Sequence, residues 1–94
     1  MALENRKRCE VGDVENVLSS LRHRLMYRVK QYGDHSYASV HEILGLITEE
    51  YGELVDAVRE DKSEDKHKIY DELMDIAVGC MWACMSIGQK TIDW

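Results

Sequence analysis

Within "ITEEYGELVDAV", Ile47 to Val58, a glutamate stands where an amphipathic helix should bury a leucine. Advancing about 100° per residue puts Ile43, Leu46, Ile47, Leu54, Ala57 and Val58 on one face. Glu50 falls in the middle of that face, Glu53 at its edge and Glu49 one step further round. A lone buried carboxylate is costly or gives up its charge. The stretch "YDELMDIAVG" repeats the anomaly: Glu72 and Asp75 lie three apart, one above the other on a helix, at the edge of an apolar stripe beside Gly79 and Ser86.

Four or five gathered carboxylates repel, by roughly 4 kcal/mol per pair about 4 Å apart at an effective dielectric near 20. A divalent cation between them removes that cost, and all-oxygen ligation selects Mg²⁺ or Mn²⁺ over zinc or copper. Glu50, Glu53, Glu72 and Asp75 are therefore candidate metal ligands. E-x-x-E or E-x-x-D taken singly is an ordinary feature of solvated helices. Two such pairs on consecutive helices, each against an apolar face, favour the metal. A di-iron bundle is the rival metal reading, but it wants Glu-x-x-His on two helices, and neither Glu50 nor Glu72 has a histidine three residues on.

These acids need helices to hold them. Residues 1–12 show no periodicity and read as a flexible tail, leaving residues 13–94 as one domain. A first helix is predicted from Asp13, as N-cap, to Gln31 or Tyr32, with Val14, Val17, Leu18, Leu21, Leu25, Val29 and Tyr32 as its stripe and Gly33 as its stop. Ser39 and Glu42 form an S-x-x-E capping box that starts a second helix running to Glu60. After the charged turn "EDKSEDKHK", with Ser63 as a cap, a third helix is predicted from Glu64 to Gly88 or Gln89. Its expected core face is Ile69, Leu73, Ile76, Ala77, Cys80, Ala83, Cys84 and Ile87. The short turn makes the second and third helices an antiparallel hairpin, in which the two acid pairs lie at similar height. Because Val78, Met81, Trp82 and Met85 lie off the stripe, the second half of the third helix is apolar nearly all round and is expected to be buried from two sides, with Trp82 at a subunit interface.

Composition agrees with an all-α fold, an antiparallel hairpin plus an N-terminal helix assembling into an oligomeric four-helix-bundle-like core. The 94 residues are 45% hydrophobic and 32% charged, with no Pro or Phe. A chain this short has difficulty burying every apolar face alone. The net charge is −6; residues 1–12 carry +1, which leaves −7 elsewhere. That excludes non-specific nucleic-acid binding, which needs a basic footprint. Three cysteines form no disulfide or zinc pattern, so a reducing cytoplasm is expected. The most apolar run, "IAVGCMWACMSI", is too short for a membrane span, which takes about 20 residues.

"EEYGEL" followed by "DELMD", on two helices with 18 residues between Glu53 and Glu72, resembles the MazG-like all-α nucleoside triphosphate pyrophosphohydrolases over about Tyr32 to Ile87. The resemblance implies that Glu50, Glu53, Glu72 and Asp75 hold Mg²⁺, that Glu49 is an outer ligand or the base orienting the attacking water, and that a nucleoside triphosphate is split to a monophosphate and pyrophosphate. It implies a homodimer or homotetramer with sites near the subunit interface. Beyond Asp75 only Lys90 is basic, so phosphate contacts fall to Arg28 or Lys30, or to a second subunit. His35, Tyr37 and His41 flank the loop into the second helix; His35 and Tyr37 join Lys30 as candidate substrate-binding residues. The alternative is a non-catalytic helical oligomer of the same fold that binds a nucleotide or a protein.

Overall fold

A computed structural model describes residues 6–33 and 35–93. The terminal Trp94, the first five residues of the expected tail and Asp34 of the first loop lie outside them. Three helices follow in order: α1 (Val11–Tyr32), α2 (Val40–Glu60) and α3 (His67–Gly88). The chain is all-helical among the described residues, and none of its described helices is long and apolar enough to cross a membrane.

The helix ends are set by local hydrogen bonds, and two differ from expectation. α1 begins at Val11, so the tail ends earlier than residue 12 and Asp13 is not the cap. Glu10 takes the N-cap place and its backbone N–H donates to the Asp13 carboxylate at 2.8 Å. The acid three residues into the helix thus serves the residue before it, the back half of a capping box. Gly33 follows α1 with φ −64°, not in the left-handed conformation of a typical stop. Glycine is required there because a Cβ would collide with the Val29 carbonyl oxygen. α2 starts as expected, with Ser39 Oγ accepting from the Glu42 N–H at 3.2 Å.

α3 begins at His67, three residues later than predicted, and Ser63 does not cap it. Asp61 does that work from outside the helix. Its buried carboxylate accepts from the backbone N–H groups of Lys68 (3.1 Å) and Ile69 (3.3 Å), while its other oxygen takes the Ser63 N–H and hydroxyl. The chain can curl back over Asp61 only because Lys66 adopts the left-handed conformation, φ 54°, which costs an L-residue about 1–2 kcal/mol. These bonds hold the Asp61 carboxyl well below the usual carboxylate range, the Ser63 side chain contributing most.

α2 and α3 pack as the antiparallel hairpin. Asp61 meets Lys68, Glu53 and Glu72 share a level, and Leu46 and Ile47 lie over Gly79. α1 lies along α3, and among the described residues its backbone makes no close approach to α2. The core is small: among the described residues, Ala57 of α2 with Met74, Val78 and Ala83 of α3 are the buried apolar side chains. On α2, Ile43, Leu46, Ile47 and Leu54 are half-buried, and Val58 is exposed. On α1, Leu21, Leu25 and Val29 are half-buried, while Val14, Val17, Leu18 and Tyr32 of the predicted stripe face outward.

The predicted core face of α3 is only partly the buried one: Ala83 is buried and Ile69, Ile76 and Ala77 are half-buried. Met74, Val78, Gly79, Ala83 and Ser86 point inward, whereas Leu73, Cys80, Cys84 and Ile87 are exposed. The second half of α3, apolar nearly all round, has no single preferred inner face, so packing chooses. Gly79, with no side chain, admits Leu46 and Ile47 of α2 closely.

Candidate functional site

The hairpin register brings both acid pairs to one level. One carboxylate oxygen from each of Glu50, Glu53 and Glu72 lies within 4.8 Å of the others. Glu50 and Glu72 are half-buried and Glu53 is exposed. Asp75, one turn further along α3, is half-buried and close enough for its charge to act on both Glu50 and Glu72. Glu49 is exposed and outside this group.

The electrostatics are those of acids that repel. Burial raises the Glu50 carboxyl above its usual range, reinforced by Asp75, Glu53 and Glu72, with Arg28 opposing. Glu72 is raised too, first by burial, then by Glu53 and Asp75. One Glu72 oxygen, Oε2, is shielded from solvent with no hydrogen-bond partner. An acceptor in that state normally carries a penalty, and a hard cation would satisfy it. Two oxygens on one Mg²⁺ lie at most about 4.2 Å apart, from bonds near 2.1 Å. The spacing here is therefore reached by small side-chain adjustments, and the residues fit a hard divalent cation.

Beside the acids, between α1 and the hairpin, opens a cleft of about 700 Å³. Asp75 and Val78 of α3 and Leu46 of α2 line its inner side, and His23, Arg24, Tyr27 and Arg28 come from α1. Tyr32, His35, Tyr37 and Trp82 make its other end aromatic. The Tyr32 and His35 rings stack with centroids 6.3 Å apart, and the Arg28 guanidinium lies 6.0 Å from the Tyr32 centroid. Burial, then the Glu50 charge, raises the Tyr37 phenol.

Hydrogen bonds from α3 and the segment after it hold the loop that carries these rings. Trp82 Nε1 donates to the His35 carbonyl at 2.9 Å. Ser86 Oγ accepts from the Tyr37 N–H at 3.1 Å and donates to the Trp82 carbonyl at 3.0 Å. Thr91 Oγ1 donates to the Tyr37 carbonyl at 2.7 Å, and the Asp93 N–H to the Ala38 carbonyl at 3.0 Å.

Of the substrate-binding candidates, His35 and Tyr37 line the cleft, while Lys30 is exposed and does not. One residue decides the difference: Arg28 lies on the face of α1 turned to α3, and Lys30, two positions on, is rotated about 200° away. Trp82 belongs to the cleft wall. Sequence reasoning missed Arg24 and Tyr27. Their signal was present, since positions 24, 27 and 28 share one helical face, but only packing says which face is lined. A second, smaller hollow of about 300 Å³ lies on the far side of the acids, at Glu53, Glu72, Asp56, Glu60, Lys68 and Asp71. Comparison with known families, with curated proteins and with solved structures gives no match, so the site itself has to carry the functional argument.

Proposed function

We infer that the chain is a Mg²⁺-dependent nucleoside triphosphate pyrophosphohydrolase of the MazG-like kind, with Mn²⁺ as an alternative cation. One observation carries this reading: the converging oxygens of Glu50, Glu53 and Glu72 adjoin, through Asp75, a cleft with arginines on one wall and aromatic rings at its end. A nucleoside triphosphate presents the matching parts, a planar base for the rings and a polyanion that an acidic site accepts only with cations. The two acid pairs and their spacing support the same family.

Glu50, Glu53, Glu72 and Asp75 would hold the cation. When bound, it neutralises phosphate oxygens and makes water a better nucleophile. The chain's own residues do the rest. Tyr32, His35 and Trp82 shelter the base, Arg28 meets phosphate oxygens, and Glu49, exposed beside the acids, is left to take a proton from the attacking water. Water adds to the α-phosphorus, the bond to the bridging oxygen of the β-phosphate breaks, and pyrophosphate leaves with that oxygen. House-cleaning of a nucleotide pool is a role such a reaction serves.

The test is a panel of NTPs and dNTPs with Mg²⁺ or Mn²⁺ and identified products. Monophosphate plus pyrophosphate is the expected outcome. No release with any nucleotide by folded protein overturns catalysis. Glu53→Ala or Asp75→Ala should abolish turnover while leaving the assembly intact.

The assembly is a homodimer or homotetramer. On α3 the exposed Leu73, Cys80, Cys84 and Ile87, with half-buried Ala77 between, are spaced 4-3-4-3, the seam of a left-handed helix pair. The accessible surface of 7628 Å² is well above the roughly 5,600 Å² of a folded monomer this size. This bare seam also favours the second reading, a non-catalytic oligomer that binds a nucleotide or a protein. It predicts saturable binding of nucleotide or cation without turnover.

A further inference from the structure

Arg24 faces two ways. It lines the cleft one turn before Arg28, yet its Nη2 lies 2.8 Å from Oδ1 of Asp71 on α3, which belongs to the acidic hollow beyond. The Arg24 guanidinium also sits 5.7 Å from the centroid of the Tyr70 ring. The two charged side chains remain 33% and 55% exposed, so water competes for both and the pair is weak. A guanidinium bound loosely to one carboxylate is ready to exchange it for phosphate, whose oxygens match its fork of donors.

A polyphosphate chain in this cleft meets the negative Asp75 and the acids behind it, and the arginines of the lining are Arg24 and Arg28. We propose that Arg24 is a binding arm for a polyphosphate chain, held beside the cleft by Asp71 until the ligand arrives. Four residues apart on one helix, the two side chains leave the backbone about 6 Å from each other along its axis. That spacing suits neighbouring groups of one chain. The inference rests on the nucleotide reading of the cleft and adds a regulator to it, because Asp71 competes with the ligand for the arm. The chemistry is shared by nucleoside triphosphates and inorganic tripolyphosphate.

The experiment is a double-mutant cycle, Arg24→Ala, Asp71→Asn and both together. Affinity is measured by calorimetry for tripolyphosphate and for an α,β-methylene nucleoside triphosphate, each with Mg²⁺, on variants whose helicity matches the parent. Loss of the arm should weaken binding roughly tenfold or more, the worth of one charged hydrogen bond. Removing its competitor should tighten binding, the opposite sign. In the Arg24→Ala background the Asp71 change should do nothing. A cycle seen with the analogue and not with tripolyphosphate supports the arm and assigns it to nucleotides. If Asp71→Asn weakens binding, the ion pair is only structural and the inference fails. It fails equally if the tightening persists without Arg24, which would mark a general change of field, or if the parent protein binds neither ligand. An intact cycle with no pyrophosphate release sinks the hydrolase reading and keeps the arm. Normal turnover with a flat cycle sinks the arm alone.

Discussion

Glu50 and Glu72 are held above their usual carboxyl range by burial and by one another's neighbours, whereas Asp61 is held below it by the bonds it accepts. The two kinds of acid act on stability in opposite directions. A raised acid binds its proton in the folded chain at a pH where the unfolded chain has lost it, so stability rises as pH falls from neutral toward the ordinary carboxyl pKa. A depressed acid contributes stability that is present above the ordinary value, about 4, and lost as pH falls below it. In chelator-treated protein the melting temperature should therefore climb on mild acidification and then collapse, which a calorimetric pH series checks. Glu50→Gln should remove much of the climb. Added Mg²⁺ should stabilise the parent by about 2.7 kcal/mol at a hundredfold excess over its Kd, and Glu50→Gln much less. No gain from Mg²⁺ at millimolar concentration would remove the metal from the site. The anomaly at Glu50 was legible because an acid on an apolar face contradicts the periodicity around it. Asp61 was not, since it lies six residues before α3 starts and acts only through a fold-back at Lys66.

At the scale of the elements, α2 was the most legible piece. Its Ser39 cap, its length and its half-buried face follow from period and capping alone. The N-cap of α1 was misread by three residues, because Asp13 looks like a cap when Glu10, an uncommon N-cap type, is the residue it serves. α3 was misread in part of its facing, and Ser86 shows why. A hydroxyl in an apolar run looks like a gap-filler, yet it is 2% exposed and joins the α1–α2 loop to α3. Ser86→Ala leaves the Tyr37 N–H short of an acceptor, a loss of about 1–3 kcal/mol. For a chain this size each kcal/mol lowers the melting temperature by roughly 4–8 °C. With Tyr37 freed, KM for nucleotide should rise more than kcat falls. An unchanged KM would separate the loop from binding.

As a whole the molecule is long for its mass, 48 × 29 × 24 Å with a radius of gyration of 15.8 Å. A compact chain of this length has about 12 Å. The excess comes with the bare faces of α1 and α3, where Val11 (74%), Leu18 (56%) and Ile87 (60%) stand open to water. A seam of this kind is sensitive to charge. Leu73→Glu with Cys84→Glu should shift the protein to monomer in sedimentation without loss of helicity. A parent that already sediments as a monomer would leave the seam without a second copy. Four neighbouring acids could be placed together from sequence because a short turn fixes the register of a hairpin. The place of α1 could not, since its apolar stripe matches either neighbour and only packing chooses α3.

Val78, 2% exposed, packs in the core and also lines the cleft. With α1 and α2 out of backbone contact, α3 is the common beam on which both the carboxylate group and the arginine wall are mounted. Shaving that beam by Val78→Ala should cost about 1–3 kcal/mol of stability and, in the same stroke, spoil ligand affinity. Ruggedness and recognition in this small chain would then have to drift together, with little room for one to be tuned while the other stays put.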